Sequence, residues 1–104
     1  MNLCFGLIDK DIRAIRDIFT HYPQVEKCVI YGSRAKGNYK IGSDIDLTLY
    51  GGNNLDLGVL LRIMEELDDL MLPYTFDVSI FRCIENSDMI AHIRRVGLLF
   101  YEKK

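Results

Sequence analysis

The chain of 104 residues lacks the features that mark membrane, disulfide-bonded and nucleic-acid-coating proteins. No apolar run approaches the ~20 residues that a bilayer span requires, and the N-terminus has no signal-peptide pattern. Its cysteines (Cys4, Cys28 and Cys83) are odd in number and show no CxxC spacing. A net charge of −2 is not the basic excess that broad nucleic-acid binding needs. These absences favour a cytoplasmic protein with reduced thiols, no membrane contact and no direct nucleic-acid binding.

Tryptophan is absent and proline is scarce, and neither a low-complexity tract nor a linker interrupts the chain. We therefore expect residues 1–104 to form a single domain. Apolar spacing predicts helices over Asp9–His21, Leu55–Met71 and Asn86–Val96, a short helical turn over Ser33–Lys36, and strands over Val25–Tyr31, Ile45–Tyr50, Phe76–Phe81 and Leu98–Tyr101. This order predicts an α/β (α+β) fold, a small mixed β-sheet flanked by helices.

The stretch Val29–Leu49 is the most informative part of the chain, and it reads V-I-Y-G-S-R-A-K-G-N-Y-K-I-G-S-D-I-D-L-T-L. In an extended strand alternate side chains share a face, so Asp44 and Asp46 point the same way. Two neighbouring carboxylates repel each other unless a cation lies between them. Mg²⁺ is commonly held by one or two carboxylates while it also contacts substrate phosphates. The stretch is therefore a candidate site for a metal ion and a nucleotide.

The loop before these carboxylates contains residue types that suit a phosphate group. Gly32 allows a sharp turn and a close approach of the backbone to a ligand. Ser33 can offer its hydroxyl and backbone N–H, and Arg34 and Lys36 add positive charge. We assign Ser43, directly before the acidic pair, to the same nucleotide-binding set.

A third carboxylate, Asp77, lies in the predicted strand Phe76–Phe81. If that strand lies beside Ile45–Tyr50, Asp77 joins Asp44 and Asp46. Its natural role there is as a metal ligand or as a general base for an attacking hydroxyl.

Gly32-Ser33, ten further residues and then Asp44-Ile45-Asp46 resemble the signature of the DNA polymerase beta nucleotidyltransferase superfamily. The segment G-S-R-A-K-G-N-Y-K-I-G-S-D-I-D-L is similar to the motif of the minimal nucleotidyltransferase (MNT) branch of this superfamily. The resemblance implies a mixed sheet with three catalytic, metal-binding carboxylates, which map by motif to Asp44 and Asp46 and by strand pattern to Asp77. It also implies one or two Mg²⁺ ions and ATP as the substrate.

The same resemblance implies a partner and a biological role. Members of the MNT branch are encoded beside a helical HEPN-type toxin, a ribonuclease, and transfer AMP to a tyrosine of that toxin. The chain would then be the antitoxin of a toxin–antitoxin pair. Since it ends soon after the core, we expect the partner to complete the site, or a second copy in a homodimer within a hetero-oligomer.

Two other functions stay open at this point. The chain could neutralise its partner by occlusion alone, without catalysis, or it could modify a small molecule such as an aminoglycoside antibiotic. Two further readings are excluded. Asn38-Tyr39 replace the Lys-Ser/Thr of a Walker A loop, and neither His21 nor His92 has a second ligand at zinc spacing.

Overall fold

The computed structural model describes the backbone of residues 3–104 and the side chains of residues 4–104. Within residues 3–104, six strands, four α-helices and one 3₁₀ turn follow each other. They are β1 (Leu3–Cys4), β2 (Leu7–Ile8), α1 (Asp9–Thr20), β3 (Lys27–Tyr31), α2 (Gly32–Lys36), β4 (Ile45–Tyr50), α3 (Leu57–Asp69), β5 (Phe76–Ile80), the 3₁₀ turn (Phe81–Cys83), α4 (Ser87–Val96) and β6 (Leu98–Glu102). Within this part of the chain, no helix is both long and apolar enough to cross a membrane.

The strands form an antiparallel hairpin, β1–β2, and a four-stranded sheet in the order β5-β4-β3-β6. Strand β3 is antiparallel to both neighbours, whereas β4 and β5 run parallel. The mixed sheet with its helices confirms the predicted fold class. The β1–β2 hairpin was not predicted, because strands of two residues carry no hydrophobic periodicity.

One face of the sheet is apolar and forms the core. Ile30, Leu47 and Val78 lie in one row across β3, β4 and β5. Their side chains are buried together with those that α1 and α3 present at helical spacing. The buried helical residues include Ile12, Ile15, Phe19, Val59, Ile63 and Leu67. Burial of this face holds the sheet in place beneath the polar face.

The opposite face carries polar and aromatic side chains, also in rows. Thr48 pairs with Ser79, whose Oγ donates a hydrogen bond to Thr48 Oγ1 at 3.0 Å. Farther along, the rings of Tyr50 and Phe81 stack with centroids 4.5 Å apart. Helix α4 lies against this face, since Arg94 sits over the Phe81 ring at 5.8 Å.

Strand β6 contains a bulge. The register with β3 shifts between Cys28 and Val29, which leaves Phe100 without a partner there. Arg16 of α1 fills the gap: its Nε donates to the Phe100 carbonyl at 2.7 Å, and its guanidinium lies 5.3 Å from the centroid of the Phe100 ring. Arg16 therefore satisfies the carbonyl that the bulge leaves unpaired.

Candidate active site

Three side chains form one row on the polar face of the sheet. Tyr31 at the end of β3 pairs with Asp46 on β4, and Asp46 pairs with Asp77 on β5. Paired residues of adjacent strands project from the same face. The sequence made the proximity of Asp77 conditional on β5 lying beside β4, and that condition is met.

The environment of Asp46 favours its protonated form. Burial has the largest effect and raises the pKa of Asp46, and the negative charges of Asp77 and Asp44 raise it further. The Arg34 guanidinium acts in the opposite direction, and together these effects raise the pKa of Asp46 from 3.8 to about 6. Negative charge thus accumulates on this part of the sheet without full compensation.

Gly32 lies directly against Asp46. It is the first residue of α2 and has a φ of +73°. A Cβ on Gly32 would overlap Asp46 Oδ2. Glycine is thus required at this position both by the left-handed backbone and by the close approach to the Asp46 carboxylate. The sequence predicted only a sharp turn and a close approach to a ligand.

Arg34, predicted to add positive charge toward a phosphate, is buried and bonded to the protein itself. Its side chain is only 3% exposed. Nη1 donates to the Phe5 carbonyl at 2.9 Å, while Nε and Nη2 donate to the Ser43 carbonyl at 3.1 and 2.8 Å. The guanidinium also lies near the Tyr39 and Tyr74 rings, at 5.4 and 5.0 Å. Arg34 therefore stabilises the loop between α2 and β4 through hydrogen bonds from a buried position. Its role toward phosphate stays a prediction.

The other predicted residues surround this row. Ser33 is half-buried in α2, and Lys36 is exposed at the end of that helix. Ser43 closes the loop through its Oγ, which accepts from Lys40 N at 2.8 Å. Asp44 is exposed directly before β4, and its negative charge raises the pKa of Asp46. Their predicted contacts with nucleotide or metal are untested.

The residues fit a magnesium ion in part. Among the side chains of the described residues, no three His, Cys, Asp or Glu groups converge to hold a metal. Magnesium, however, is commonly held by one or two carboxylates, with water and substrate phosphates completing its shell. Asp46 and Asp77 supply such a pair, in register on adjacent strands. Burial and the charges of Asp77 and Asp44 raise the pKa of Asp46, and a cation bound beside it would offset the effect of those charges.

Sequence reasoning missed Tyr31. Its side chain is buried, and its ring meets His92 edge-on at 6.1 Å. Burial raises the pKa of Tyr31 most, the charges of Asp77 and Asp46 raise it further, and the nearby Ser79 side chain lowers it. Its position directly before Gly32 was visible in the sequence. Its place beside Asp46 depends on the β3–β4 register, which the sequence does not reveal.

A mixed sheet with paired carboxylates on one face is the arrangement that the sequence resemblance to nucleotidyltransferases implies. The model of the family "Polymerase beta, Nucleotidyltransferase" matches residues 13–104. The chain belongs to the polymerase beta nucleotidyltransferase family.

Solved structures with the same fold include several toxin–antitoxin complexes. A chain from a toxin–antitoxin structure with AMP-PNP superposes with a TM-score of 0.72 at 16% identity, over 89% of this chain and 74% of that one. A chain from the MntA–HepT toxin–antitoxin gives 0.68 at 13% identity, over 92% and 74%. A third comes from a tri-AMPylated Shewanella oneidensis HEPN toxin with its MNT antitoxin, at 0.66 and 14% identity, over 90% and 71%. No curated protein matches the sequence.

Proposed function

We propose that this protein transfers AMP from ATP to a tyrosine hydroxyl of a HEPN-type partner and thereby acts as its antitoxin. The observation that carries the proposal is the in-register pair Asp46–Asp77 beside Gly32, within a polymerase beta nucleotidyltransferase domain. The AMP-PNP and the AMPylated HEPN toxin in structures of the same fold support the choice of nucleotide and partner.

The proposed reaction is a single displacement at phosphorus. The acceptor oxygen forms a bond to the α-phosphorus of ATP, the bond from that phosphorus to the bridging oxygen breaks, and pyrophosphate leaves. Mg²⁺, when bound, would neutralise the charge on the phosphates. Asp44 and Asp46 are the ligands we assign to it, with Asp77 as the further ligand.

Asp77 is the carboxylate we assign to the acceptor proton. It is exposed on β5, whereas Asp46 beside it is half-buried. An exposed carboxylate next to the reacting phosphate can accept the proton that the hydroxyl releases. We assign contacts with the phosphates to Ser33 and Lys36, which lie with Gly32 on α2.

The test is AMP transfer from labelled ATP with Mg²⁺ to the protein encoded beside this one. We expect wild type to label a tyrosine of that protein, and the double variant Asp44→Asn/Asp46→Asn to lose labelling by at least about 10³-fold while retaining its circular dichroism spectrum. Absence of labelling by wild type, under conditions in which the two proteins bind, would reject the proposal.

The same variant separates catalysis from occlusion. If occlusion alone neutralises the partner, cells that express the double-asparagine variant with the toxin survive as well as cells with wild type. Catalytic neutralisation predicts that these cells stop growing, although the complex still forms.

A further inference from the structure

Strand β5 has an open outer edge. It is the end strand of the sheet, with β4 on its inner side. The Thr75 carbonyl accepts from Ile45 N at 2.9 Å, so it points toward β4. Because peptide groups alternate along a strand, those of Phe76 and Val78 point outward. The Ile80 carbonyl accepts the first hydrogen bond of the 3₁₀ turn that follows the strand. Within residues 3–104, no strand pairs with the outer side of β5.

A cavity of about 400 Å³ lies along this edge. Residues of β5 line one side of it, and residues of the first turn of α3, where Leu57 is 64% exposed, line another. The cavity is lined by Asp56, Leu57, Leu60, Val78, Ser79, Ile80, Arg82, Cys83 and Ile84. An apolar wall beside unpaired peptide groups matches an extended peptide, whose backbone can pair with the strand while one side chain enters the cavity.

The candidate active site lies on the other face of the same strand. Asp77 is the residue before Val78, and its side chain projects from the opposite face of β5, beside Asp46. A strand added to this edge would place alternate side chains on these two faces. If one residue of the added strand places its side chain beside Asp77, the next residue of that strand places its side chain beside Leu57.

We propose that the β5 edge binds an extended segment of the acceptor protein as an additional strand. The acceptor hydroxyl then faces Asp77, and an apolar side chain at an adjacent position of the segment fills the cavity against Leu57 and Leu60. Arg82 is exposed at the cavity and favours an acidic residue farther along the segment. This inference rests on the proposed function, and it specifies how the acceptor is recognised.

The first experiment compares two leucines of the same helix. Leu57 lines the cavity, whereas Leu61, 55% exposed, does not. We expect Leu57→Glu to raise the KM for the acceptor protein by about tenfold or more, with kcat and the KM for ATP close to wild type. Leu61→Glu should leave all three near wild type. An unchanged acceptor KM in Leu57→Glu, or an equal rise in both variants, would overturn the inference.

The second experiment needs no catalysis and uses the two exposed thiols. Cys83 lines the cavity and Cys4 lies in the β1–β2 hairpin. In the Asp44→Asn/Asp46→Asn variant, saturating partner should slow alkylation of Cys83 about tenfold and leave Cys4 unchanged. Equal reaction of Cys83 in the free and bound protein, or equal protection of both thiols, would contradict the inference. If wild type transfers no AMP, the proposed function fails, and the protection of Cys83 still decides whether the edge binds the partner.

Discussion

At the scale of single residues, Asp46 combines two unfavourable conditions. It is half-buried on β4, and the negative charge of Asp77 lies beside it. Arg34 offsets part of this cost, but the backbone carbonyls of Phe5 and Ser43 already accept bonds from its guanidinium. The carboxylate therefore reduces the stability of the metal-free protein when it is ionised.

This predicts a pH dependence of stability with a definite sign. The pKa of Asp46 is about 6 in the folded protein and 3.8 as the ordinary value. Between these values the folded state binds more protons than the unfolded state, so the free energy of unfolding should decrease as the pH rises from about 4 to about 6. Because Asp46 is half-exposed, solvent screening limits the decrease to about 1 kcal/mol.

Urea unfolding of wild type and Asp46→Asn, with a chelator present, at about pH 4.5 and about pH 7.5, measures this effect. We expect the asparagine variant to lose that contribution and to be the more stable protein at the higher pH. An identical pH dependence in the two proteins would contradict the assignment to Asp46.

At the scale of elements, the junction of β3 and α2 positions the site. Tyr31 ends the strand in register with Asp46, and Gly32 begins the helix in contact with the same carboxylate. At the other end of α2, Gly37 also has a positive φ, +87°, but a Cβ there would meet nothing within 4 Å. The two glycines have similar backbone requirements but different surroundings.

This difference gives a matched pair of variants. Gly32→Ala and Gly37→Ala should each lose about 1–2 kcal/mol of stability from the left-handed backbone. Only Gly32→Ala displaces Asp46, so it should also reduce AMP transfer by about 10²-fold, whereas Gly37→Ala should stay within about threefold of wild type. Transfer rates at a temperature where both variants are folded test this, and similar rates would show that the Gly32–Asp46 contact does not position the site.

The elements differ in how far their sequences predict them. The predicted bounds of β4 match the structure, because alternation and the following Gly51-Gly52 mark both ends. The side chain of Arg34 could not be placed, because its partner Phe5 is 29 residues away in a hairpin without a sequence signal. The proximity of Asp77 to Asp46 likewise depends on strand order, a long-range property that local patterns do not encode.

At the scale of the whole molecule, the two edges of the sheet differ. The β6 edge has the Phe100 bulge with Arg16 bonded to it, whereas β5 pairs with β4 in an unbroken register and Asp77 lies on it. A cavity lies along each edge. Bulges and charged side chains are common means of preventing strand addition. Both of these features lie at the edge away from the candidate active site.

Two arginines of α1 test whether the Arg16 hydrogen bond stabilises the β6 edge. Arg16→Met should lower the free energy of unfolding by about 1 kcal/mol, because the Phe100 carbonyl loses a charge-assisted hydrogen bond. Arg13→Met is the control: it removes an exposed ion pair with Asp9, and such pairs contribute about 0–0.5 kcal/mol. Urea unfolding compares them, and equal losses would show that the Arg16 bond does not stabilise the edge.

The strand order β5-β4-β3-β6 also has a consequence for the order of folding. Strands β3 and β4 are consecutive and antiparallel, so Tyr31, Gly32 and Asp46 come together through contacts close in sequence. We expect Asp77 to join them later, because β5 must pair in parallel with β4 across α3, and long-range pairing is slower. The repulsion between Asp46 and Asp77 is therefore absent while the first part of the sheet forms. The repulsion opposes the docking of β5, which is the step that places Asp77 beside Asp46.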